Sequence, residues 1–185
     1  MDSAPAVVLL AGGEATRFPG KLEHRLEGRP MVAHLYERVR ALGTAVYIAG
    51  NGSFSRETDA MLDAPLIVDR KPRRGPAEAL LSACALVRAD RIFALAADQP
   101  NLDAGVLERL RASWQSGDEA VVPEHDGRIE PLAALYDRRA LLREGFELLR
   151  GGDRSMRALV ARVAARFVAF EGRFFHNVNR SSDLP

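Results

Sequence analysis

The chain has 185 residues, 47% hydrophobic and 28% charged, with a formal net charge of +1. That length suits one domain with its own core, and that balance suits a soluble globular protein. It excludes a strongly basic footprint over the whole chain, so no nucleic-acid partner is expected. No apolar run approaches the ~20 residues that span a membrane, so no membrane partner is expected either. The N-terminus lacks a basic region followed by an apolar core, so no signal peptide is expected. The one cysteine, Cys84, cannot form an internal disulfide, which fits a reducing, cytoplasmic setting.

Short apolar runs alternate with helical patterns along the chain. Ala6–Leu10 reads as a strand. Val32, Leu35, Tyr36, Val39 and Leu42 then fall at helical spacing, with Pro30 at the start and Gly43 at the stop. Ala45–Ala49 and Pro65–Val68 read as two further strands. Ala77, Leu80, Leu81, Cys84 and Val87 form a second helical stripe behind Pro76. Ile92–Ala96 is the next strand. Val106, Leu107, Leu110 and Trp114 follow as a third stripe, capped by Asn101 or Asp103. Ala120–Val122 closes the regular alternation. Asp137–Arg150 and Ser155–Ala165 look helical, and Arg166–Phe170 reads as a last strand. This alternation implies βαβ units: an α/β fold with a mostly parallel sheet and helices on both faces. No internal repeat or low-complexity tract interrupts it.

The stretch Leu10-Ala11-Gly12-Gly13 directly follows the first strand, and a long loop then carries Arg17 and Lys21. Bare backbone approaches an anion closely, and its amides point at it. The dinucleotide fingerprint is absent, because Gly12 and Gly13 are adjacent and the next glycine is Gly20. A P-loop fails too: Leu22 stands where its Mg²⁺-binding Ser or Thr belongs, and the helix begins near Pro30. The glycines at a strand end remain, where open α/β sheets bind ligands.

Asp98 lies just past Ile92–Ala96, ahead of Pro100. It suits either a strand-end metal ligand or a turn aspartate. Asp69 follows another strand ahead of Gly75-Pro76, and Asn51 follows the second strand in an Asn-Gly dipeptide. Arg70, Lys71, Arg73 and Arg74 form either a solvated face or an attractor for an anionic substrate. Four histidines show no ligand spacing, and Cys84 sits on an apolar stripe, where core packing is its expected role.

The segment L-A-G-G-x-x-x-R-x-x-x-K, followed by "LEGRPMVAHL", resembles the opening of nucleotidyltransferases that join a nucleoside triphosphate to a phosphate-bearing acceptor. Further along, "GRIEPLAALY", "GGDRSMRALV" and "FFHNVNRSSDLP" are similar to segments of the molybdenum cofactor guanylyltransferases, and in the same order. The likeness runs from Val7 to Leu184. One departure is local: Pro19-Gly20 stands before Lys21, where that family usually has an Asp. The resemblance implies a Rossmann-like, three-layer αβα fold. The nucleotide would bind in about residues 6–100 and the acceptor in about residues 101–185. It implies GMP transfer from GTP to a molybdopterin-type acceptor with release of pyrophosphate. Mg2+ would sit on Asp98, with Lys21 and Arg17 stabilising the triphosphate charge. Leu10, Ala11, Gly12 and Gly13 would cradle the nucleotide, with Asn51 and Asp69 orienting it. Arg154, Ser155, Arg157 and Asn179 would serve the acceptor. A monomer or small homo-oligomer in the cytoplasm is expected. Three rivals stay open: a cytidylyl version of the reaction, a transferase for a sugar phosphate or other metabolite, and a non-catalytic nucleotide-binding relative.

Overall fold

The first strand, β1 (Ala6–Leu10), is buried on both faces, so its alternate side chains must feed two separate cores. The computed structural model describes residues 4–12, 20–50, 54–68 and 75–183, and all statements below concern them. After β1 comes a small ribbon, β2 (Arg25–Leu26) with β3 (Arg29–Pro30), then α1 (Met31–Arg40) and β4 (Val46–Gly50). Next are α2 (Arg56–Met61), β5 (Leu66–Val68), α3 (Pro76–Cys84) and β6 (Arg91–Ala96). The later part holds α4 (Ala104–Ala112), β7 (Ala120–His125), β8 (Arg128–Ile129) and β9 (Ala133–Asp137). It ends with α5 (Arg138–Arg150), α6 (Met156–Val160) and β10 (Ala165–Ala169).

The eight-stranded sheet has the order β10-β7-β9-β6-β1-β4-β5, with β8 paired to β7. β9 runs antiparallel between β6 and β7, and the six other strands of that path are parallel. Val7 and Leu9 face a core shared with α1 and α4. Ala6, Val8 and Leu10 face the opposite core, built with α3, α5 and α6. Helices therefore cover both faces, and the three-layer α/β expectation holds.

Local chemistry starts the helices where the sequence suggests. Pro76 opens α3 after Gly75, whose φ of 86° favours glycine. The Asp103 carboxylate accepts the Val106 N–H at 2.9 Å, so Asp103 rather than Asn101 caps α4. The Asp137 carboxylate caps α5 by accepting the Ala140 N–H at 2.7 Å. Tertiary pairing changes three expectations. The helix read over Ser155–Ala165 stops at Val160, because Ala165–Ala169 pairs in parallel with Ala120–Glu124 of β7. β7 continues past Val122 to His125. Pro123 has no N–H to give, and it sits where pairing with β9 ends and pairing with β8 takes over. β9 and the short α2 were not among the expected elements.

Cys84 is fully buried on α3, and burial pushes its thiol up to about 12. A thiolate reagent at pH 8 is therefore expected to label the native protein far more slowly than the urea-unfolded chain. Equal labelling rates would show that α3 opens readily. The same shift fixes a sign. The unfolded thiol ionises from about pH 9 while the folded one resists, so this stabilisation fades between 9.0 and about 12.

Gly50 ends β4 beneath the chain that leaves β1. A Cβ built there would lie 2.9 Å from the carbonyl carbon and oxygen of Ala11 and 3.0 Å from the Gly12 nitrogen. Backbone cannot yield as a side-chain tip does. Gly50→Ala is expected to cost about 1–3 kcal/mol, lowering Tm by roughly 2–10 °C and displacing Ala11-Gly12. A melting temperature equal to the parent's would show that this loop shifts freely.

Candidate functional site

The parallel strands β1, β4 and β6 end together at Leu10, Gly50 and Ala96, at the edge where open α/β sheets bind ligands. The Ala97 N–H donates to the Leu10 carbonyl at 3.1 Å and the Ala11 N–H to the Ala49 carbonyl at 2.7 Å. These bonds extend the sheet into the turns that carry the expected residues: Leu10 meets the turn that leads to Asp98, and Ala11 and Gly12 lie over Gly50.

Lys21 opens a 3-10 turn, Lys21–Glu23, immediately after Gly20, which adopts φ 69°. Its ammonium donates to Asp98 Oδ2 and, at 3.3 Å, to Asn179 Oδ1. Each side chain of the Lys21–Asp98 pair is 18% exposed, so the ion pair is partly open to solvent rather than sealed in the core. Three segments separated by 77 and 158 positions thus meet at one ammonium group.

Residues outside the expected site hold these groups in place. Glu23 accepts hydrogen bonds from the Ser55 N–H and from Thr58 Oγ1, tying the Lys21 turn to the start of α2. The Met31 N–H donates to the His24 carbonyl at 2.9 Å and ties the same turn to α1. On the other side, the Asp183 carboxylate accepts the N–H groups of Asn179 at 2.9 Å and Arg180 at 2.8 Å. Those donors hold its carboxyl below the usual aspartate range. The Val178 N–H donates to the Asp98 carbonyl at 3.0 Å. The only sequence signal for Glu23 is position, an acid two residues from Lys21, whereas Asp183 lies within the family-like segment FFHNVNRSSDLP.

The remaining expected residues fall elsewhere. Arg154 stands against Gly75, with its guanidinium Nε 3.5 Å from Glu78 Oε2 at the start of α3. Ser155 caps α6 by accepting the Ala158 N–H at 3.4 Å, and Arg157 is exposed on that helix. These three lie on the α3–α6 side of the edge, apart from the Lys21 contacts. Gly13, Arg17, Asn51 and Asp69 lie outside the described residues. A separate cleft of about 420 Å³ opens between the β2–β3 ribbon and Pro100. Its walls are already committed: His34 Nε2 contacts the Leu26 carbonyl at 2.6 Å, and Arg38 donates to the carbonyls of Pro100 and Leu102.

A bare-backbone turn, a lysine and a strand-end carboxylate at the carboxyl edge of a mostly parallel sheet suit the phosphates of a nucleotide, as nucleotidyltransferases require. Solved structures of that class share the fold. A nucleotidyl transferase from Methanothermobacter thermautotroptrophicus superposes with a TM-score of 0.77 at 18% identity, covering 96% of this chain and 93% of that one. The molybdopterin-guanine dinucleotide biosynthesis protein A of Archaeoglobus fulgidus superposes at 0.74 with 23% identity, covering 97% and 94%.

Sequence narrows the class further. The profile of the MobA-like NTP transferase domain matches residues 7–167, and the chain belongs to that family. The molybdenum cofactor guanylyltransferase of Burkholderia cenocepacia is 33% identical over 191 aligned positions, covering 97% of this chain and 93% of that protein. The probable molybdenum cofactor guanylyltransferase of Bacillus licheniformis is 30% identical, covering 96% and 93%. Among the described residues no helix is long and apolar enough to cross a membrane.

Proposed function

We propose that this protein transfers GMP from GTP to the terminal phosphate of a molybdopterin-type acceptor, forming a guanine dinucleotide and releasing pyrophosphate. The observation that carries this reading is the meeting of Lys21, Asp98 and Asn179 beside the Leu10–Gly12 turn. The named relatives, similar over nearly their whole length, supply the substrate class. An acceptor phosphate oxygen attacks the α-phosphorus, the bond to the bridging α–β oxygen breaks, and pyrophosphate carries that electron pair away. A phosphate monoester is already anionic at neutral pH, so the acceptor needs no general base.

Among the described residues no three His, Cys, Asp or Glu side chains gather as a metal cluster. The donor set at the edge nevertheless suits Mg2+. One carboxylate and one amide oxygen, from Asp98 and Asn179, already surround a cation, the Lys21 ammonium. Magnesium commonly takes one or two protein carboxylates and completes its shell with phosphates and water. Bound there, it would supply charge neutralisation on the phosphates. This chain's own groups do the rest. The Leu10–Gly13 turn receives the nucleotide, though not through the Ala11 N–H, which the Ala49 carbonyl takes, and Asn51 and Asp69 orient it. Lys21, with Arg17, neutralises the charge that builds as pyrophosphate departs. Arg154, Ser155, Arg157 and Asn179 face the acceptor. The nucleotide half, about residues 6–100, meets the acceptor half, about residues 101–185, at Asp98. A cytoplasmic setting suits the chain's single, buried thiol.

The test is a thermal-shift panel with GTP, CTP, ATP and UTP, with and without Mg2+, followed by pyrophosphate release in the presence of acceptor. A ligand at ~100 times its Kd stabilises the fold by about 2.7 kcal/mol. A shift with GTP and Mg2+, followed by turnover, is the expected result. A shift with CTP alone would reassign the nucleotide, and binding without pyrophosphate release would make the chain a non-catalytic relative.

A further inference from the structure

We infer that His125 is a positioning residue for the transfer reaction. It anchors the C-terminal strap that brings Asn179 to Lys21 and Asp98. The catalytic part of this inference rests on the guanylyltransferase reading; the anchoring part does not.

His125 ends β7 at the same carboxyl edge as Asp98, in front of a tight turn in which Asp126 and Gly127 take φ of 47° and 70°. Both ring nitrogens face carboxylates. Nε2 lies 2.9 Å from Glu130 Oε1, and Nδ1 lies 3.4 Å from Asp126 Oδ2. The side chain is 12% exposed, so the imidazole is held in one orientation by its partners rather than left to solvent. One face of that fixed ring stacks on Phe175, with centroids 5.3 Å apart and planes 13° from parallel. Phe175 is itself buried and meets Phe170 edge-on at 5.8 Å.

The strap fits this anchor closely at a second point. A Cβ on Gly172 would lie 2.8 Å from His125 Nδ1 and 3.1 Å from Asp126 Oδ2. The 3-10 turn Gly172–Phe175 therefore grips the imidazole from both of its ends. Upstream, the Phe170 N–H donates to the Glu124 carbonyl at 2.9 Å, so the strap leaves β10 already docked on β7. Downstream, residues 176–178 are in neither helix nor strand. The next fixed points are His176 Nε2, 3.2 Å from the Asp183 carbonyl, the Val178 N–H on the Asp98 carbonyl, and the Asn179 amide oxygen on Lys21. The position of Asn179 is thus set between two supports, His125 before it and Asp183 after it. A phenylalanine at position 125 would fill the space. The imidazole adds a directional bond to Glu130 that sets the tilt of the stack, and with it the path of the strap.

The experiment compares His125→Ala with the parent by amide hydrogen exchange and by turnover. Exchange at Val178 is expected to rise by about tenfold or more, while the amides of Val7–Leu10 in β1 stay protected. Gly172→Ala disturbs the same contact from the strap side without altering β7, and it is expected to raise exchange at Val178 as well. It serves in place of His125→Ala should that variant fail to fold. In steady state, His125→Ala is expected to lower kcat about tenfold in the parental background and less than about twofold on top of Asn179→Ala, with the KM for GTP nearly unchanged. Non-additivity of that kind separates action through Asn179 from a general loss of fold. Parental exchange at Val178 in both variants, or the full kcat penalty in both backgrounds, would overturn the inference. Failure of the parental protein to turn over GTP would defeat the guanylyltransferase reading instead, and the exchange result would still decide whether His125 holds the strap.

Discussion

Asp98→Ala is expected to lower guanylyl transfer by about 10³-fold or more, the scale of losing a preorganised charged group together with the metal it holds. The fold should survive. The turn bearing Asp98 is fixed by backbone bonds, Ala97 N–H to Leu10 and Val178 N–H to the Asp98 carbonyl, which an alanine retains. The lost ion pair is partly solvated, so it is worth at most about 1 kcal/mol, or roughly 2–4 °C in Tm. The informative comparison is Asp98→Asn. It keeps an oxygen for Lys21 but loses the charge that attracts a divalent cation. Both variants should therefore lose turnover and also lose the Mg2+-dependent part of the GTP thermal shift. Turnover at the parental rate with Mg2+ present would remove Asp98 from the metal assignment altogether.

The sequence makes this site legible for a topological reason. In a parallel sheet every strand delivers its following loop to one edge, so Gly12 after β1 and Asp98 after β6 share that edge once both strands are recognised, and the pairing of β1 with β6 brings the two turns together. Both were recognisable: β1 is a continuous apolar run, and β6 ends just ahead of Pro100. Asn179 is different. It follows no parallel strand directly, and its approach depends on the strap crossing from β10 to Asp98, a path that no local pattern encodes. Resemblance rather than periodicity pointed to it. His125 was not singled out at all, because a lone histidine at a strand end acquires meaning only through Glu130 and Phe175, which the fold supplies.

The same distinction explains the misjudged elements. Ser155–Ala165 has helical spacing at Met156, Leu159 and Val160, and those residues do pack as one turn against α3 and α5. Beyond Val160 the chain takes its hydrogen bonds from the free edge of β7, and sheet pairing overrides the local preference. β9 illustrates the reverse case. Ala133, Ala134, Leu135 and Tyr136 are fully buried, but an antiparallel strand between β6 and β7 is specified by pairing on both sides, not by its own composition. Pattern predicts which residues are buried more surely than which partner buries them.

Lys21→Ala carries the second large effect, a loss of about 10²-fold or more in kcat, and it should differ in kind from the loss at Asp98. The ammonium touches one carboxylate and one neutral amide, so removing it leaves Asp98 intact and unshielded. Mg2+ affinity should therefore hold or rise, while the step that releases pyrophosphate loses its positive charge. Lys21→Arg is not expected to restore the rate. The planar guanidinium presents a fork where the turn after Gly20 delivers a single point charge between two oxygens. The measurement is kcat against Mg2+ concentration for the parent, Lys21→Ala and Lys21→Arg. A kcat loss at unchanged Mg2+ dependence would separate charge stabilisation by Lys21 from metal binding by Asp98. A loss below about threefold would reduce Lys21 to a residue of the loop, since one preorganised cation at the reacting phosphates is worth far more than that.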